Sequence, residues 1–560
     1  MKSKLASQHA SQHSAQLNEL GVLAARAGQH DVALRFFGEA LVLLPNDAAL
    51  KKNLALATYS FGDHLQACEL LCALAQEQPE DLDNLLLAAS MLQAQKRYRA
   101  ACSLYECSSS IENWATSESF IRLRIHHAAA LRSSGQLEDA LKRINEVRLF
   151  IEDESAILKI ETRLEYYTNL ANIHFDLCQW AESVAGYEKA LAIDSADAII
   201  HSNLGCALQE FGDYARAIYH HQQALTLEPN SRAVRWNYAN TLLLCQQWSA
   251  GWHFYEARPA QNVKPPGVLN SITRWSAFDE PSRTVLIIVS EQGIGDFVFF
   301  SRFTSVAKAR CKQLILFVEP ALAELASQLN LQASVCTQAN ELVAIQAQSA
   351  DLILRTIPVG SLALAFQDPT LPPPGQTAYL HPSKALVAKF SEKQEKLHGR
   401  RSEGYNIGLA WRGSPEHRRD RIRSIELALL MESLPSIAHY VSLYPAVSEG
   451  EANLLEQYGV SSYGEEISDI ASTAALISTL DLIISVDTSL AHISAAQGRP
   501  SWILLPKACD WRWGTDPKKT IWYASARLFR QSRHGDWSNP LNELKTSLER
   551  ELSSFYPSSH

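Results

Sequence analysis

Apolar and small residues recur along the first half of the chain with a period of about 34 residues. Leu20-Gly21, Ala33, Phe37, Ala40 and Pro45 return as Leu54-Ala55, Ala67, Leu71, Leu74 and Pro79, and again as Leu204-Gly205, Ala217, Ala224 and Pro229. Looser copies run through Ala88-Ala89, Ala101 and Tyr105, through Ala128, Leu131, Ala140 and Ile144, through Leu170-Ala171, Tyr187 and Ala190, and through Tyr238-Ala239, Gly251 and Tyr255. The pattern predicts about seven helix–turn–helix units between residues 14 and 258, after a disordered or frayed tail over 1–13. Small residues let the paired helices cross closely, Leu20 and Phe37 fill the gap, and the prolines stop each second helix. One such pair cannot bury its apolar face alone, so the units stack into a superhelix with a concave groove. Residues 109–122 and 148–163 fit the period poorly.

The period ends at Arg258. Residues 259–284 are proline-rich and aperiodic and read as an ordered connector, with Trp275 and Phe278 expected to be buried. Apolar runs of strand length then alternate with helical stretches, which predicts parallel sheets covered by helices. One set spans 285–375, with strands at 285–289, 314–318 and 351–355 and a weaker one at 333–337. A second spans 376–540, with strands at 406–411, 439–444, 480–486 and 500–506 and helices at 424–433, 449–457, 469–478 and 489–497. Proline-rich residues 368–376 form a hinge between them, and 541–560 form a C-terminal helix and tail. The expected fold is therefore an α-helical repeat superhelix followed by a pair of Rossmann-like α/β units. Ligands of such sheets bind beyond the carboxyl ends of the strands.

Composition narrows the function classes. The 51 basic and 60 acidic residues give a net charge of -9, against the basic face that nucleic-acid binding needs. No run reaches the roughly 18 apolar residues of a membrane helix, and residues 1–16 lack a signal-peptide core, so a cytoplasmic location is expected. The ten cysteines are scattered without a CxxC pair, which speaks against a zinc or disulfide framework.

Three strand ends carry the candidate chemistry. "SEQGIGDFVFFSRF" (290–303) follows the first strand. Gly293 and Gly295 permit a sharp turn and close ligand approach, and Asp296 falls in the first turn of the next helix. The same residues also suit a tight turn in which Asp296 only caps the helix. "DTSLAHISAAQGRP" (487–500) puts Asp487, Thr488 and Ser489 at a helix start that attracts phosphate, with His492 a turn later; an ordinary capping cluster reads the same way. "RGSPEHRRDRIRS" (412–424) crowds Arg412, His417, Arg418, Arg419, Arg421 and Arg423 into one loop. Arg412 and Arg423 bracket it and suit a diphosphate; the alternative is a solvated basic loop. An acid facing arginines and a helix start is what sugar transfer from a nucleotide donor requires. A base deprotonates the acceptor hydroxyl, and positive groups hold the departing diphosphate. No DxD-type metal pair stands at a strand end, so no metal is expected at the leaving group. Trp511 and Trp513 are open between stacking on a base or sugar and simple core packing.

The repeats resemble tetratricopeptide repeats. The motifs "SEQGIGDFVFFSRF", "GLAWRGSPEHRRDRIRSI", "ISVDTSLAHISAAQGRP" and "DWRWGTD" make the second half similar to the heptosyltransferase-like glycosyltransferases of family 9, with the GT-B fold. The whole chain, roughly 14–540, resembles bacterial tetratricopeptide-repeat proteins that end in such a domain. The resemblance implies an inverting, metal-independent glycosyltransferase. Asp296 would be the catalytic acid residue, and Asp487, Thr488 and His492 would bind the donor diphosphate. Arg423 would assist at the phosphates, and Ser489 stands where many family members have glycine. It implies a nucleotide-sugar donor as substrate and no other cofactor. A repeat arm joined to such a domain also resembles protein O-glycosyltransferases, including the flagellin-modifying kind. A protein acceptor such as flagellin would then be recruited through the groove, where Asn169, Asn172, Asn203, Asn237 and Asn240 are candidates. The alternatives are an inactive scaffold for protein assembly, or a transferase that builds surface polysaccharide.

Overall fold

The computed structural model describes residues 2–78, 81–107, 118–153, 157–259, 267–348, 351–366, 378–398, 404–416 and 419–556. The chain divides into two compact units, Met1–Ala207 and Leu208–His560. The expected 368–376 hinge, Pro79, His417 and Arg418 lie outside the described residues.

The first unit is a series of antiparallel helix pairs, beginning with Lys2–Arg26 and His30–Leu43 and continuing through Ile160–Asp176 and Trp180–Ile193; the first helix takes in residues 2–13, expected as a frayed tail, because nothing in that stretch breaks a helix. The small residues serve close crossing: a Cβ on Gly21 would lie 2.5 Å from the Phe37 ring, and one on Gly186 2.8 Å from the Ala171 Cβ. Asp47, Asp63 and Asp81 each cap a helix by accepting a backbone N–H three residues on. Phe37 is buried as expected, but Leu20 is 46% exposed, whereas its counterpart Leu204 is fully buried. Three expected groove asparagines are engaged within the helical array, Asn240 by donating to the Trp236 carbonyl one turn back. Asn169 donates to the carbonyl of Glu165 one turn back, and Asn172 accepts from the Tyr187 hydroxyl at 2.6 Å.

The second unit starts with repeat helices, Tyr214–Leu227, Arg232–Leu244 and Trp248–Tyr255, and continues into two parallel sheets. The strands are β1 (Thr284–Val289), β2 (Gln313–Phe317), β3 (Ser334–Cys336), β4 (Ile353–Pro358), β5 (Asn406–Ala410), β6 (His439–Ser442), β7 (Ser461–Ser462), β8 (Leu482–Val486), β9 (Ser501–Leu505) and β10 (Ala526–Arg530). The first sheet has the order β3-β2-β1-β4 and the second β10-β9-β8-β5-β6-β7. Every strand pair is parallel. Runs such as "VLIIV" and "LIISV" are buried along their whole length, as a sheet covered on both faces demands. β7 and β10 are additions to the expected strands. β7 is only two residues long, and β10 ("ARLFR") mixes apolar and charged positions because it is an edge strand.

The chain reverses its direction of sheet growth between β1 and β4 in the first sheet and between β5 and β8 in the second. Those reversals open the crevices in which such sheets bind ligands. One apolar core joins Leu243, Trp252 and Tyr255 of the last repeat helices to strand residues of both sheets, so this end of the array is built into the α/β body. The connector departs from expectation at one residue. Trp275 is buried, but Phe278 is 91% exposed, because a turn closed by Ser276 and Asp279 throws it outward. Among the described residues no helix is long and apolar enough to cross a membrane.

Among the described residues burial keeps four imidazoles neutral. It drives His127 and His534 down to about 4 and His221 and His492 down to about 3, with nearby cations adding to the effect. Unfolded histidine binds a proton from about pH 6.5 downward. Stability from these residues is therefore complete above that pH and is lost as the pH falls toward 4 and then 3. The thermal midpoint is expected to drop between pH 7 and pH 5, and His221→Phe, which keeps a ring beside Tyr238 without the titration, to reduce the drop. An equal drop in the variant would contradict the assignment.

Candidate active site

β1 runs straight into the loop Ser290–Gly293, and the loop is held by the repeats. Glu291 accepts from Arg258 at 2.9 and 2.6 Å and from the N–H of Gly360, which follows β4, at 2.9 Å. Arg258 is 5% exposed and also donates to Ser361. Gln292 sits at φ 60°, a left-handed conformation unusual for a residue with a side chain, and accepts from the Tyr255 hydroxyl at 3.1 Å. These clamps deliver Gly293 as the residue before helix Ile294–Phe300.

Asp296 has two partners. One carboxylate oxygen accepts from the Gly293 N–H at 3.1 Å, so the helix-capping reading is realised. The other accepts from Arg512, across the divide between the two sheets. Arg512 also donates to Asp510 at 2.9 Å, and its guanidinium lies against Trp511 at 4.3 Å and Phe299 at 5.0 Å. Burial opposes its charge, but Asp510 and Asp296 outweigh burial and hold it ionised above the ordinary range. The same guanidinium pulls Asp510 below the usual carboxylate value against the cost of its packing. The Asp296 side chain retains 27% exposure, enough to be reached from the crevice.

The facing wall comes from the loops after β5 and β8, which flank the second reversal. Thr488 caps helix Ser489–Ala496, its hydroxyl accepting from the Leu490 N–H. Arg423 donates to the Asp487 carbonyl at 3.0 Å and to Asp420 at 3.2 Å. The Asp487 carboxylate accepts from the Trp513 indole at 2.7 Å; burial and the neighbouring Asp510 push it up. His492 stacks on Trp513, centroids 5.0 Å apart, and shares a hydrogen bond with the Tyr523 hydroxyl at 3.0 Å. Gly295 is where the two walls meet. A Cβ there would lie 3.2 Å from the His492 ring and 3.5 Å from the Ser489 Cα. The tight approach is to the His492 ring; Ser489 lies at ordinary contact distance.

The structure thus brings Gly293, Gly295, Asp296, Arg423, Asp487, Thr488, Ser489 and His492 into one connected cluster. Arg412 stands apart. Its guanidinium is taken by Glu451 at 2.8 Å and stacks on Tyr444, and against its burial Glu451 is held down at about 2 by Arg412, the Ser448 N–H and the Trp411 indole. Arg419 is likewise engaged, by both oxygens of Glu210 and by the Ala508 carbonyl. Trp511 and Trp513 are both buried, so neither presents a free face. Sequence reasoning missed Arg512, whose signal was an arginine between two tryptophans with an acid two residues before it. It also missed the pairs Arg258–Glu291 and Glu210–Arg419, whose members lie too far apart in the chain for spacing to reveal. Among the described residues no group of three or more His, Cys, Asp or Glu could hold a metal ion.

Comparison with known proteins bears on the same elements. Residues 162–228 match the tetratricopeptide repeat family. Residues 468–505 match glycosyltransferase family 9 (heptosyltransferase), a stretch that contains β8, the helix start at Ser489 and β9. The chain joins tetratricopeptide repeats to a glycosyltransferase family 9 segment. It is also similar to protein FlbA of Caulobacter vibrioides (strain ATCC 19089 / CIP 103742 / CB 15), with 25% identity over 451 residues, 69% of this chain and 72% of that one. Its similar solved structures include a tetratricopeptide repeat protein from Parabacteroides merdae ATCC 43184. That likeness has 14% identity and a TM-score of 0.37, over 44% of this chain and 91% of that one. Another is PilF of Pseudomonas aeruginosa, with 15% identity and a TM-score of 0.32 over 40% and 97%. The family 9 segment supports glycosyltransferase activity.

Arg423 owes its position to Gly413, where a Cβ would collide with its guanidinium and with Asp420. Gly413→Ala is expected to weaken nucleotide binding about tenfold, the scale of one charge-assisted contact, with little change in the unfolding midpoint. Unchanged nucleotide affinity by calorimetry would exclude Arg423 from nucleotide binding.

Proposed function

We propose that the chain transfers a sugar from a nucleotide-sugar donor to a protein hydroxyl, with inversion at the anomeric carbon and without a metal ion, the repeats recruiting the acceptor. The observation that carries the reading is the contact of Asp296, beyond β1 of one sheet, with Arg512 of the other, next to Arg423 and the helix start at Ser489. A carboxylate offers about four lone-pair positions, and Gly293 and Arg512 occupy two, so an acceptor hydroxyl can be received by the remainder. Asp296 takes the hydroxyl proton. The freed oxygen bonds to the anomeric carbon as the bond from that carbon to the donor's phosphate oxygen breaks. One displacement from the opposite face inverts the centre. Negative charge appears on the departing nucleotide, where Arg423 and the N–H groups that open helix Ser489–Ala496 receive it. Arg512 holds Asp296 in place. His492, neutral and buried, supplies shape and no charge.

Two measurements test this. Among UDP, CMP, GDP and ADP, one is expected to raise the unfolding midpoint and so name the donor's base; no shift with any would remove the donor site. Asp296→Asn is expected to keep that shift and to lower turnover by about 100-fold or more, the scale of losing a general base. Near-normal turnover would exclude Asp296. Mass spectrometry of candidate acceptor proteins from cells with and without the chain separates a protein acceptor from a polysaccharide one.

A further inference from the structure

A cavity of about 550 Å³ opens in the same unit, without Asp296 in its lining, between the repeat helices, the connector and helix Leu362–Ala365 after β4. Its volume falls in the range of ligand sites, about 300–1,000 Å³. One wall carries Arg232 and Arg235 from helix Arg232–Leu244, and the other carries Arg274 from the connector. Arg232 donates to the Arg258 carbonyl and Arg235 to the Pro229 carbonyl; among the described residues neither is paired with a carboxylate. The one acid in the lining, Glu256, is already taken by Arg274 and Arg258. Between the charged walls lie Phe254, Ala277 and Leu364, with Phe278 almost fully exposed at the rim. Trp275 also lines the cavity. It is 3% exposed, and its indole N–H has no hydrogen-bond partner. A buried donor left unpaired is destabilising, and an incoming oxygen would satisfy it.

Cations stand on two sides, an unpaired donor is buried in the lining, and aromatic surface lies between and at the rim. From this we infer that the cavity docks an acidic peptide segment, with carboxylates reaching the arginines, an apolar side chain against Phe254 and Phe278, and a carbonyl or carboxylate oxygen at the Trp275 N–H. A compact inorganic anion would meet one arginine wall and leave the aromatic rim bare; a peptide spans both. The inference extends the reading of a protein acceptor, but its binding test needs no sugar transfer. The site is also wired to the catalytic loop. Arg274 pairs with Glu256, Glu256 with Arg258, and Arg258 with Glu291, five residues before Asp296.

The test is fluorescence anisotropy on the full chain with a labelled decapeptide of Asp, Glu and Phe. Its controls are the same peptide with Asn and Gln for the acids and a ten-nucleotide oligothymidylate. The acidic peptide is expected to bind at least about tenfold more tightly than either control. Arg232→Glu with Arg235→Glu should weaken it about tenfold, and Phe278→Ser, at a fully solvated position, about fivefold. All variants should keep their nucleotide-induced thermal shift. Equal binding of the amide peptide or of the oligonucleotide, or unchanged binding by the Phe278→Ser protein, overturns the inference. Loss of turnover on Asp296→Asn bears only on sugar transfer, so the two readings fail separately.

Discussion

The candidate site depends on one guanidinium. Arg512 is almost completely buried, yet it carries charge, because Asp296 from one sheet and Asp510 from its own side both bind it. Removing either acid would leave a buried cation short of compensation, which costs several kcal/mol. The pairing therefore does two things. It fixes the Asp296 carboxylate, the proton acceptor of the proposed transfer, and it ties the two parallel sheets together at the point where each reverses its growth. Trp511, Phe299 and Phe300 enclose the guanidinium and keep water from weakening the pair.

The last repeats are part of this machinery. Trp252 meets Trp511, Phe300 and Trp522 edge-on, with centroids 5.3 to 6.2 Å apart. Arg258 and Tyr255 hold Glu291 and Gln292, and Glu210 holds Arg419 of the basic loop. Both loops that face the crevice are thus anchored on residues that belong, by sequence period, to the helical array. The strained backbone at Gln292 persists because buried partners on either side over-determine it. Separating the repeats from the sheets at residue 258 would cut through these contacts.

Local signals were legible. The 34-residue period gave away the helix pairs, and unbroken apolar runs such as "VLIIV" marked buried parallel strands. Gly293, Gly295 and Asp296 after β1 and the Asp487–Thr488 helix start announced themselves because strand ends and helix starts have local grammar. Partner choice was not legible. Arg412 and Arg423 looked equivalent in the chain, and only folding assigns Arg412 to Glu451 and Arg423 to the Asp487 carbonyl. Phe278 looked like core by composition, yet a four-residue turn projects it into solvent. Arg512 was hidden because its value comes from Asp296, 216 positions away.

The most direct measurement of the central claim is hydrogen exchange, followed by mass spectrometry, with and without the nucleotide that stabilises the chain. The account predicts slowed exchange at the amides of 293–297, 419–423 and 488–492 together, since Asp296, Arg423 and the helix start at Ser489 belong to one site. Protection confined to the helical array, or to only one of the two sheets, would contradict it.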